Sequence, residues 1–125
     1  MSNRVLAHNA YGQKAAPTRT ARDTEYEVIA RITHRIRSAA LKGKNGFPDL
    51  VAALDENRRL WAALSEDVAN PQNGLPQDLR DRLVYLARFT FGQTSKILGG
   101  TAGVASLIDI NTAVMRGLRG KGTQP

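Results

Sequence analysis

The residues able to do chemistry are few, and their spacing is poor for it. The chain has two histidines and no cysteine. Without thiols there are no disulfides, no thiolate nucleophile and no sulfur ligand for a metal. His8 lies among small and polar residues. His34 sits beside Arg35 with Arg31 one turn back, a poor setting for a cation, and reads as a solvated or interfacial side chain. Asp55-Glu56 and Glu66-Asp67 are adjacent carboxylates. Neighbours on a helix diverge, so neither pair makes an acid–base dyad. Gly99-Gly100-Thr101-Ala102-Gly103 precedes a helical pattern but lacks the lysine and leading strand of a phosphate-binding loop. Gly120-Lys121-Gly122-Thr123 has the lysine and no helix to follow. There is no HExxH string, no calcium-loop pattern and no nucleophile beside a base. The residues predict no enzyme, no metal and no cofactor.

Binding chemistry is better represented. Asn57 interrupts an apolar seam between Leu54 and Trp61, and Asn111 interrupts another between Leu107 and Val114. Two readings stand for each: a marginal position that meets water, or a polar contact between helices or with a partner's backbone. A paired asparagine in a seam fixes register at some cost in stability. Trp61 likewise has two readings, ordinary core or the anchor of a binding surface, where tryptophan is enriched. Arg58 and Arg59 either flank such a surface or are solvated.

The elements that must position these residues are helices. Val28, Ile29, Ile32, Ile36, Ala39 and Ala40 recur at steps of three and four, which predicts a first helix from Thr20 to Lys42 ended by Gly43. Thr20 and Asp23 have capping-box spacing. Asn45-Gly46-Phe47-Pro48 and Asn73-Gly74-Leu75-Pro76 repeat one punctuation, a turn into a helix with proline in its opening residues. The second helix carries Leu50, Leu54, Asn57, Trp61, Leu64 and Val68. The third carries Leu79, Leu83, Leu86, then Phe89 or Thr90, Gln93 or Thr94, and Ile97, with Gly99-Gly100 as its break. The fourth runs from about Gly103 to Leu118 with Val104, Leu107, Ile108, Asn111, Val114, Met115 and Leu118 as a wide stripe. No period of two persists, so strands are not expected. The expected fold is all-α, a small antiparallel bundle of about four helices. Residues 1–19 are expected as a flexible basic arm, 20–119 as the helical domain and 120–125 as a disordered tail.

Composition narrows the classes further. The chain has 125 residues, a net charge of +7 and 42% apolar residues. Its mean hydropathy is −0.35. That suits one soluble, cytoplasmic domain, with no secretory signal and no apolar run near the roughly 20 residues of a membrane span. Basic balance raises the prior for nucleic acid. Its distribution weakens that case. Residues 1–22 carry Arg4, Lys14, Arg19 and Arg22 and no acid, whereas residues 49–78 carry Arg58 and Arg59 against six acids. Excess charge near chain ends more often serves solubility. The third helix offers Arg80, Arg82, Arg88 and Lys96, but aromatics are only 6% of the chain, too few for an evident stacking platform.

Several strings together carry a resemblance. Asn57-Arg58-Arg59-Leu60-Trp61, Leu64 and Asp67 come first. Asn73-Gly74-Leu75-Pro76 with Leu79-Arg80 follows, then Leu107-Ile108-Asp109-Ile110-Asn111 and Met115-Arg116-Gly117-Leu118. With Ala10-Tyr11 and the stretch from Ser95 to Gly99, they resemble the flagellar biosynthesis regulator family FlaF along nearly the whole chain. The resemblance implies a cytoplasmic, non-enzymatic protein that regulates flagellin production and acts as a flagellin secretion chaperone, with the regulator FlbT as a second partner. Physics gives such a chaperone an apolar groove for an amphipathic flagellin terminal segment. The expected partner-binding residues are Asn57, Arg58, Trp61, Leu64, Asn111 and Met115. Two other classes compete: an RNA-associated regulator of flagellin translation, motivated by the charge, and a homo-oligomeric helical adaptor.

Overall fold

A computed structural model describes residues 21–123, and the side chains of 24–118. Four α-helices make up nearly all of it, and there is no strand among the described residues. They are α1 (Ala21–Leu41), α2 (Phe47–Ala69), α3 (Gln77–Leu98) and α4 (Ala105–Thr123), with a 3-10 turn at Gly43–Gly46. The expected arm, 1–19, and the Thr20 cap lie outside the described residues.

The punctuation acts where the sequence places it. Gly43 takes the left-handed conformation, φ 65°, that ends α1. Gly46 is needed for space. A Cβ there would stand 2.3 Å from the carbonyl oxygen of Ala39 and 2.7 Å from Cβ of Lys42. Gly46→Ala should therefore lower stability by about 1–3 kcal/mol, the usual cost of overpacking, read as a shift of the urea midpoint. Pro48 lies in the first turn of α2. At the other end of α2, Arg80 donates through Nε to the carbonyl of Val68 at 2.8 Å, and the same guanidinium reaches the carbonyl of Asn70 at 3.2 Å. It thereby satisfies carbonyls that the helix end leaves open. Gly100, φ 81°, closes α3.

The last helix runs to Thr123, past the expected end at Leu118 and into the span expected as a disordered tail. Gly117 and Gly120 each cost about 1 kcal/mol relative to alanine, which weakens a helix without breaking it.

The core draws on every helix: Ile32 and Ile36 from α1, Ala53 and Leu54 from α2, Ile97 from α3 and Leu107 from α4. Packing follows the order α3, α2, α1, α4. The first helix lies along both α2 and α4, whereas α3 and α4, though consecutive, touch little. The reason is where each stripe is used. Ala87, Thr90, Thr94 and Ile97 are the buried residues of α3, and α3 packs chiefly along α2. Leu107 and Asn111 of α4 face inward over α1 and α2. Between Phe89 and Thr90 the bundle buries the threonine and leaves Phe89 40% exposed. The inward side of α3 is made of small side chains with Ile97, and the Thr94 hydroxyl donates to the Thr90 carbonyl at 2.7 Å.

Candidate partner-binding surface

Three of the six expected partner-binding residues lie inside the bundle. Asn57, Trp61 and Asn111 are each no more than 1% exposed. With Thr33 of α1 they form one hydrogen-bonded node across three helices. Trp61 Nε1 donates to Asn111 Oδ1 at 2.9 Å. Asn111 Nδ2 donates to Asn57 Oδ1 at 2.9 Å and to Thr33 Oγ1 at 3.0 Å. Thr33 in turn donates to the carbonyl of Ile29 at 2.7 Å. The polar contact between helices is therefore present, and it fixes the register of α4 against α1 and α2. In this form none of the three offers surface to a partner. Thr33 is the member that sequence reasoning missed. A β-branched threonine between Ile32 and Ile36 carries no polar signal beyond one hydroxyl.

The only tryptophan of the chain thus sits in a closed, hydrogen-bonded site. Its emission should be blue-shifted and nearly unquenched by acrylamide in the native protein. It should move to the red only at the unfolding midpoint.

The remaining expected residues are on or near the surface. Arg58 is exposed and pairs with Asp55 at 3.4 Å, while Arg59 reaches the same carboxylate at 3.1 Å. Leu64 and Met115 are half-buried. The adjacent carboxylates diverge as helical geometry requires. Asp55 turns to Arg58 and Arg59, and Glu56 crosses to Arg31 and Arg35 of α1. Such exposed pairs add little stability each. His34 is exposed, with Ser38 Oγ at 3.3 Å, and His8 lies outside the described residues. Among the described residues no group of three or more potential ligands could hold a metal ion. Among them, too, no helix is long and apolar enough to cross a membrane.

An open apolar surface occurs elsewhere. Where the α1–α2 turn meets the α3–α4 turn there is a hollow of about 530 Å³. Phe47 and Leu50 line it from one side, and Leu98, Ala102 and Val104 from the other, with Lys44 beside them. Phe47 is 47% exposed. Val51, one turn further along α2, is also exposed, as is Leu41 at the end of α1. The hollow can take apolar side chains from a partner, with an ammonium group nearby for an acidic neighbour. Sequence reasoning did not find it, although one signal was available. In an up-and-down bundle the first and third connections lie at the same end, and both carry apolar residues here.

No curated protein and no solved structure matches the chain. A family model, described as flagellar protein FlaF, matches residues 7–118, a span that takes in all the strings after residue 57 that carry the resemblance. The chain belongs to the FlaF flagellar protein family.

Proposed function

We propose that this protein is a flagellin-binding secretion chaperone and regulator of flagellin synthesis and export. It acts in the cytoplasm, with FlbT as a second partner. It holds an amphipathic terminal segment of flagellin in the apolar hollow between its two turns. The observation that carries this reading is the hollow itself, with Phe47 in its wall and 47% exposed. An amphipathic helix laid there buries its apolar face on both sides, the usual mode of helix capture. Family membership supplies the flagellar context. The role needs no catalytic step and no cofactor.

The expected binding residues divide accordingly. Asn57, Trp61 and Asn111 serve by holding α2 and α4 in place, and the contact surface passes to Phe47, Leu50, Leu98 and Val104. The test is to mix the full chain with flagellin and separate the products by size. A discrete, stoichiometric, soluble complex is expected, and no complex with any flagellin terminal segment would overturn the reading. Binding to RNA with a steep salt dependence, and none to flagellin, would favour the translational regulator instead.

A further inference from the structure

Opposite its buried seam, α3 carries a second seam that none of the described residues covers. Asp78, Arg82, Tyr85, Phe89, Gly92 and Lys96 recur at steps of 4, 3, 4, 3 and 4, and all six are exposed. Tyr85 is 66% and Phe89 40% exposed. Ala87, Thr90, Thr94 and Ile97 are buried on the other side of the same helix. Alternating steps of three and four are the spacing of a helix–helix interface.

Reversed, this seam is complementary to itself: charge meets opposite charge, a long side chain meets glycine, and ring meets ring. About position 87, Asp78 mirrors Lys96, Arg82 mirrors Gly92 and Tyr85 mirrors Phe89. We propose that the outer face of α3 pairs with the same face of a second copy, antiparallel and about a two-fold axis. Two-fold interfaces require this kind of self-complementarity. In the pair, Asp78 faces the second copy's Lys96 and Tyr85 packs on the second copy's Phe89. Arg82 lays its aliphatic stem over the second copy's Gly92, where a Cβ would meet no atom within 4 Å in the single chain. Among the described residues, Arg82, Arg88 and Lys96 have no carboxylate within 4 Å, so Lys96 can pair with the second copy's Asp78 without breaking an ion pair.

Charge argues against the other occupants. Residues 1–22 of the chain itself carry four bases and no acid, the same sign as Arg82, Arg88 and Lys96. A parallel copy sets Arg82 on Arg82. An acidic helix or a polynucleotide meets Asp78 and Asp81 at the start of the face. The weak point of the antiparallel pair is Arg88, which flanks the seam near the axis and approaches its own copy there.

Sedimentation equilibrium on the full chain, from low micromolar to near-millimolar concentration, tests this. The mass should rise from 13.6 kDa toward twice that value. Tyr85→Lys with Phe89→Lys should hold it at the monomer, with helical circular dichroism unchanged because both side chains are on the surface. Arg88→Ala should tighten association several-fold by removing the like-charge contact. Because the chain has no cysteine, single-cysteine variants report orientation. Arg82→Cys mixed with Gly92→Cys should cross-link to each other in preference to themselves. A monomer at every concentration, or preferential self-linking at both positions, overturns the proposal. So does an Arg88→Ala variant that stays monomeric and loses affinity for an acidic helical peptide or single-stranded RNA.

Discussion

Asn111→Leu should lower the unfolding free energy by about 2–5 kcal/mol, a large share of what a domain of this size has. The size of the effect follows from what the substitution leaves behind. Leucine has the same branching as asparagine and is larger, so none of the loss is cavity and some of it is overpacking. The indole N–H of Trp61 loses its acceptor, and Asn57 Oδ1 loses its donor, both in positions shut from water. Each orphaned group costs about 1–3 kcal/mol. Thr33 is less affected, because it still donates to Ile29. Urea unfolding followed by Trp61 emission measures this directly. A double-mutant cycle with Asn57→Leu should show the pair losing less than the sum of the singles, since the second change removes a group the first had orphaned. Additive losses would mean that the two asparagines do not share one network.

Phe47→Asp should weaken the binding of a flagellin terminal segment about tenfold to a hundredfold while leaving the bundle folded. Phe47 is half-exposed in the free protein, so its core contribution is small. A guest covering it would bury most of the rest of the ring, worth about 1.5–3 kcal/mol with its neighbours. Aspartate removes that area and places a carboxylate against an apolar guest. Titration calorimetry gives the loss, and thermal unfolding of the free variant, shifted by no more than about 1 kcal/mol, separates it from misfolding. Trp61→Phe makes the contrast. It should cost stability through the node, with affinity changing only as far as the fold does.

Much of the fold was legible because helix periodicity and punctuation are local. Gly43, Pro48 and Gly99-Gly100 each end or start a helix close to where spacing puts them. The choice between Phe89 and Thr90 was not local. Apolarity favours burying the phenylalanine, yet the side of α3 turned inward carries Ala87, Thr90 and Thr94, and α3 packs chiefly along α2. The course of α4 was equally hidden. A short connection suggests that it packs along α3, yet its inward face is fixed by Asn111 reaching Thr33 and Asn57, partners 78 and 54 residues away. The two asparagines were visible as breaks in apolar seams, but their bonding to one another was not. The hollow depends on two turns meeting at one end of the bundle, a long-range fact that no single stretch of sequence contains.

Hydrogen exchange of the full chain, alone and with a saturating flagellin terminal segment, tests the central claim most directly. Protection should rise at both turns that frame the hollow, residues 41–51 and 98–104, while the already slow amides around Asn57 and Asn111 change little. Unchanged exchange at those turns, or protection confined to α3 or the outer faces of α1 and α4, would contradict the claim.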